Sequence, residues 1–224
     1  MFNGFIKYLM ATYNSAHIAS WERFYRANFI NSLTGFKSVN LIGTANAAGQ
    51  TNLGIFSSIV HIGSDPALIG YINRPLKAAP HTFANIQATG VYSINHIQPS
   101  FVQQAHQTSA KYPEDISEFK EVGLTPEFRD GISAPFVKES AVKYALLLQE
   151  IIPIPLNQTF LVIGKVLEVF LDETLVAADG FIQLDQANTI CSNGIDGYYQ
   201  ASFLNRFEYA KPDRDAQKLP AQKR

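Results

Sequence analysis

Apolar residues along this chain fall mostly in short runs broken by glycine, proline and asparagine, a pattern of strands and turns. Val39 and Leu41 open one run, and the small residues from Asn46 to Gln50 form a turn after it. Gly43 and Gly49 are both read as parts of that hairpin turn. Leu53 to Ile62 resumes as a second strand rich in β-branched and aromatic residues. Asp65-Pro66 stops it, because proline removes a ladder donor and restricts the residue before it. Ala67 to Asn73 reads as a third strand. A helix then runs from Pro80 to Ala88, Gly90 ends it, and Val91 to Ile97 forms a fourth strand.

Two short helices fit residues 101–122, where Ile116, Phe119 and Val122 have helical spacing. Pro126 and Pro135 frame a turn-rich connector. Lys143–Ile152 and Thr159–Leu171 are long strands separated by the Pro153–Pro155 step. Thr189–Cys191 is a short final strand, followed by a turn over Gly194–Tyr199 that carries two tyrosines. Near the start, Phe2, Phe5, Ile6, Leu9 and Met10 form one face of a short helix or an arm. Trp21, Phe24, Tyr25 and Phe29 read as an amphipathic turn of helix covering an open end of the core. Strand follows strand without βαβ alternation, so the expected fold is mainly β, a single antiparallel barrel with short peripheral helices. Its expected divisions are an arm over 1–20, a barrel domain over 21–210 and a loose polar tail over 211–224.

Charge narrows the partners. With 18 basic and 19 acidic residues the net charge is −1. Nucleic-acid binding, which depends on concentrated positive charge, is therefore not expected. One phosphate needs only a few donors, so a local anion site stays open. A single cysteine, Cys191, allows no intrachain disulfide. No apolar run approaches the roughly 20 residues that span a bilayer. The expectation is a soluble cytoplasmic protein with no membrane partner.

Side-chain chemistry is sparse. GTANAAG is neither GxGxxG nor a P-loop, and a strand follows it where those motifs need a helix. None of the histidines 17, 61, 81, 96 and 106 falls in an HExxH pattern, so no metal site is expected. There is no GxSxG elbow, Cys191 lies in an apolar strand, and the carboxylates form no evident acid–base pair. Scarce catalytic groups beside a hydroxyl-rich barrel segment suit a cofactor that carries its own reactivity.

The run LIGTANAAGQTNLGIFSSIVHIGSDPALIGYINRP, then HTFANIQATGVYSIN, resembles the flavin reductase-like proteins with an FMN-binding split barrel. AHQTSAKYP, SEFKEVGL, APFVKES, FLVIGKV, NGIDGYY and RFEYAKP extend the likeness in order over roughly residues 20 to 212. The resemblance implies a six-stranded Greek-key split β-barrel, usually a homodimer, holding FMN near the subunit interface. It also implies an NAD(P)H-dependent flavin reductase or an electron-transfer oxidoreductase, working with an acceptor protein or a monooxygenase.

Carried over residue by residue, the resemblance implies flavin contacts at Asn52, Ser57, Ser58, Arg74, His81 and Thr82, with Asn31, Lys37 and Asn95 as further contacts. Hydroxyls, a guanidinium and a helix start are chemically suited to a phosphate. If the strand were regular, Ser57 and Ser58 would point to opposite sides and only one would meet the ligand. Thr82 reads equally well as a helix N-cap. Lys77 and Ser109–Lys111 are weaker candidates on the rim. Asn157-Gln158-Thr159 stands where many relatives carry Asp-His-Thr, and His81 replaces an aspartate. The first departure keeps a second reading open: a non-catalytic FMN carrier or sensor on the same barrel.

Overall fold

The computed structural model describes residues 9–78 and 80–219. Two strands, β1 (Lys37–Ser38) and β2 (Asn40–Ala45), lead into β3 (Thr51–Phe56), and a turn over residues 46–49 joins β2 to β3. Gly49 takes φ +83° in that turn. Next come β4 (Ile59–Ser64), β5 (Ala67–Asn73) and β6 (Val91–His96). The later strands are β7 (Pro126–Arg129), β8 (Ile132–Val137), β9 (Lys143–Ile154), β10 (Thr159–Phe170), β11 (Ile190–Asn193) and β12 (Gly197–Gln200). Seven of them form one antiparallel sheet in the order β3-β2-β6-β9-β10-β5-β4, so the expected six strands become seven. Small sheets β1-β11-β12 and β7-β8 lie beside it.

The sheet's two edges, β3 and β4, are consecutive in the chain. From Phe56 to Ile59 the backbone can span at most about 11 Å, so the edges must come close and the sheet must curl. The result is a barrel left unpaired between β3 and β4. The single strand expected from Leu53 to Ile62 is thus two, because the chain changes partner from β2 to β5 at Ser57-Ser58.

Other expectations shift for equally local reasons. Gly43 is not a turn residue: it sits inside β2, where an added Cβ would lie 2.2 Å from the Pro135 carbonyl oxygen of β8. The connector between Pro126 and Pro135 is the β7-β8 hairpin, turning at Gly131 with φ +77°. Pro153 belongs to β9, opposite Phe160. Both late tyrosines, Tyr198 and Tyr199, lie in β12 rather than in the turn before it.

The barrel interior is filled by Ile42, Tyr71, Tyr92, Ile94, Tyr144, Leu146 and Val162. Helix α3 (Pro80–Thr89) adds Phe83 and Ile86 to it. Leu41, next to Ile42, faces a second cluster formed with Phe101, Phe119, Val137 and Ile190. That alternation explains why every residue of β2 is buried. Helices α4 (Val102–Gln107) and α5 (Glu118–Val122) pack on this outer side, so the expected helices over 101–122 are present.

The two N-terminal helices, α1 (Ser15–Ser20) and α2 (Arg23–Leu33), have no buried residue. Trp21 packs edge-on against Tyr13, Tyr25 and Phe29 at centroid distances of 4.8–5.2 Å, an aromatic cluster apart from the barrel core. Of the aromatics expected to cover the core, Trp21, Tyr25 and Phe29 pack on one another, while Phe24 is exposed. Phe2, Phe5 and Ile6 lie outside the described residues. At the other end the chain doubles back: Leu219 N–H donates to the Arg206 carbonyl and Glu208 N–H to the Gln217 carbonyl. Among the described residues no helix is long and apolar enough to cross a membrane.

Candidate functional site

An open cleft of about 780 Å³ lies where the barrel is split. One wall is β3 with the Ser57-Ser58 step, and both serines line the cleft. Because they occupy the step between ladders, strand alternation does not send one of them inward. Arg74 and Lys77, in the segment after β5, line the same cleft together with Pro80, His81 and Thr82 at the start of α3. Pro80 is well suited to a first helical position, since its missing N–H would be unpaired there anyway. Among the described residues neither Arg74 nor Lys77 has an ion-pair partner.

Thr82 is not an N-cap. It lies inside the helix, buried, and its Oγ1 accepts a 2.9 Å hydrogen bond from Asn52 Nδ2. Asn85 Nδ2 donates to Thr44 Oγ1 at 3.1 Å, so β2, β3 and α3 are tied by one polar network. Accepting from Asn52 leaves the Thr82 hydroxyl proton available for a ligand.

Of the nine residues proposed from the sequence, Asn31, Asn52, Ser57, Ser58, Arg74, His81 and Thr82 line the cleft. Lys37 stands just behind the wall: its Nζ donates to the carbonyls of Asn31 at 3.1 Å and Gly194 at 2.9 Å, fastening α2 to the β11-β12 turn. Burial, and secondly the charge of Arg74, hold its pKa below the usual lysine value. Asn95 lies elsewhere. It is fully buried, donates to the Leu41 carbonyl and Ser93 Oγ, and accepts from Val137 N–H, so its amide serves the packing of β8 onto the barrel. Asn157-Gln158, the departing positions, form the exposed β9-β10 turn, with Gln158 at φ +61° and outside the cleft lining.

The structure adds residues that sequence reasoning passed over. Glu118 of α5 lines the cleft almost fully buried, with its carboxylate accepting the Leu53 N–H at 2.9 Å. Burial raises its pKa against the opposing pull of that amide and of His81. Ser192 of β11 lines the cleft too, at 3% exposure. Alternation offered a signal for it: Ile190 and Ser192 share a strand face, and a serine at buried parity needs an explanation. His106 and Tyr198, 92 residues apart, meet through a 2.7 Å Nδ1–hydroxyl hydrogen bond on the cleft rim.

A curled antiparallel barrel with short helices agrees with what known proteins show. The model of the flavin reductase like domain matches residues 33–184. The chain belongs to the flavin reductase-like family. A protein from Shewanella frigidimarina assigned as a flavin reductase with a split barrel domain is 48% identical, with 90% of this chain and 100% of that one covered at a TM-score of 0.87. Nitrilotriacetate monooxygenase component B from Bacillus cereus shares the fold at 20% identity, covering 89% and 99% of the two chains with a TM-score of 0.78. Flavoredoxin of Desulfovibrio vulgaris shares it at 22% identity over 80% and 91%, with a TM-score of 0.66. Flavin reductase-like split barrels are thus the family in which this cleft is to be understood.

Proposed function

We propose that this chain binds FMN in the cleft and acts as an NAD(P)H-dependent flavin reductase or electron-transfer flavoprotein. The observation that carries the reading is the convergence of two cations that have no acidic partner among the described residues, two off-ladder hydroxyls and the start of α3 on one cleft. A phosphate of about −2 charge is held by such a set through charge-assisted hydrogen bonds and helix N–H groups. Arg74 and Lys77 supply the charge, Ser57, Ser58 and Thr82 supply hydroxyls, and His81 supplies a ring N–H. Asn52 orients Thr82 from the opposite wall. The donor set therefore fits the group. Bound flavin supplies hydride- and electron-accepting chemistry that no side chain of the cleft offers. The chain's own part would be to hold the flavin in the cleft, whose lining includes β3 and Glu118, a carboxyl with its pKa raised by burial.

The protein is further proposed to work as a homodimer. Phe24 (68%), Leu33 (63%) and Phe36 (65%) on the N-terminal segment are heavily exposed, as are Leu204 (85%) and Tyr209 (91%) near the other end. Exposed apolar residues of this size support the reading that a second copy covers them. Asn31 of α2 lines the cleft, so a second copy seated on α2 would border the bound flavin.

The visible absorption spectrum of the purified protein, followed by anaerobic addition of NADH and NADPH, tests the function. A flavin spectrum that bleaches supports the reductase. Tight FMN without bleaching supports the carrier or sensor, and protein that neither carries nor binds FMN overturns both. A stable FMN-bound monomer in sedimentation would overturn the dimer.

A further inference from the structure

The barrel interior holds two polar groups that neither the packing of the strands nor the cleft uses. Tyr71 of β5 and Tyr92 of β6 are fully buried in that core, and neither hydroxyl has a hydrogen-bond partner among the described residues. Their rings meet edge-on with centroids 6.0 Å apart. Burial raises both pKa values, and a neighbouring phenol adds to the effect, Tyr92 for Tyr71 and Tyr144 for Tyr92. Both hydroxyls therefore keep their protons, and each can donate and accept. The side chains of Ile42, Ile94, Leu146 and Val162, which share the core with them, can do neither.

The backbone beside Tyr92 makes room for its hydroxyl. A Cβ on Gly164 of β10 would stand 2.3 Å from that oxygen, so glycine is what lets it approach the strand. Gly164 also lies at a bulge: the β10-β9 register shifts between Ile163 and Gly164, and Gln149 has no residue opposite it. Phenylalanine at either tyrosine position would fill the same apolar shape without a polar group. Phenols kept there unpaired are costly unless something completes them. Buried water does this inside proteins with roughly two to four polar partners, and two hydroxyls meet that minimum.

We propose that the barrel interior is a hydration site, with a water molecule held jointly by the Tyr71 and Tyr92 hydroxyls. The water braces β5 against β6, strands that the sheet order separates by β9 and β10. Phe56, which lines the cleft, packs edge-on against Tyr71 at 5.1 Å, so the site adjoins the cleft wall without belonging to it.

A high-resolution crystal structure of the full chain, with urea denaturation of Tyr71→Phe, Tyr92→Phe and the double variant, tests it. Ordered solvent density within hydrogen-bond distance of both hydroxyls is expected. Each single substitution leaves the water one partner short and should lower the folded-to-unfolded ratio about fivefold, the size of one net hydrogen bond. The double variant should cost no more than either single, because the first substitution already removes the bridge. Two dry hydroxyls give the opposite result: each phenylalanine stabilises the protein, and the gains add. Stabilisation by either single substitution, additive effects, or no ordered density at the hydroxyls would overturn the site. If a variant does not fold, the wild-type crystal structure decides alone. Each measurement is made on FMN-free protein, so failure here leaves the flavin reading standing, and failure of the flavin reading leaves this site standing.

Discussion

The seam where β8 packs onto β2 and β6 and the cleft wall at Arg74 are both polar, yet their donors are used in opposite ways. At the seam, Asn95 engages the Leu41 carbonyl, Ser93 Oγ and Val137 N–H, and Ser93 Oγ donates to the Pro135 carbonyl. Lys143, buried nearby, gives its Nζ to Glu127 and to the Val137 and Lys138 carbonyls. At the cleft, Arg74 and Lys77 have no such partners among the described residues, and Ser192 keeps its hydroxyl unengaged. Polar groups whose partners lie within the fold stabilise it. Groups left open toward a cleft are available to a ligand.

Substitutions can break that comparison, and the largest effects belong to the seam. Gly43→Val would drive a side chain into the Pro135 backbone and should cost about 3 kcal/mol or more, read as a fall in urea midpoint. Asn95→Ala leaves the buried Val137 N–H without its acceptor and should cost about 2–3 kcal/mol. FMN affinity of the folded fraction should be unchanged, and a tenfold loss there would place Asn95 in the site after all.

His96 belongs to the engaged side, with its ring against Thr189 Oγ1 at 3.2 Å and its carbonyl accepting from Ser140 Oγ. Burial pushes its pKa down to about 4. The unfolded chain then binds the proton more readily, near pH 6.5. The stability tied to neutral His96 is present above pH 6.5 and is lost as pH falls toward 4, by up to about 3 kcal/mol. Denaturant melts from pH 7 to 4 on the wild type and His96→Gln should show a shallower slope in the variant.

Arg74→Ala is the mirror image of Asn95→Ala. It should weaken FMN more than tenfold, about 1.5–3 kcal/mol, while moving stability by less than about 0.5 kcal/mol. Unchanged FMN affinity would remove Arg74 from the site. The smallest effect is expected at Gln158→Gly, where relief of the positive φ should raise stability by about 0.5 kcal/mol. Its place outside the cleft lining predicts unaltered FMN affinity.

Much of the fold was legible because local chemistry repeats. Asp65-Pro66 marks the turn between β4 and β5, Gly90 at φ +74° closes α3, and the valines of β10 stand in a strand. The sequence-level likeness also brought seven of nine proposed residues to one cleft, since the motif segments around β3, β5 and α3 are neighbours across the barrel split. Side-chain type alone could not separate Asn52 from Asn95. Both are buried asparagines on strands, and only the position of β8 determines that Asn95 faces a backbone rather than the cleft.

By itself, then, the sequence determined an antiparallel β protein with short helices, the run of hydroxyls and cations from Ser57 to Thr82, and the family. These follow from periodicity, turn residues and contiguous motifs, which act over a few residues. Tertiary structure alone decided that Ser57 and Ser58 both face the cleft, because the chain changes partner there. It alone brought Glu118, Ser192 and the His106–Tyr198 pair to that cleft and turned Gly43 into a crossing point for β8. Those contacts join residues far apart in the chain, and no local pattern encodes which distant backbone will arrive.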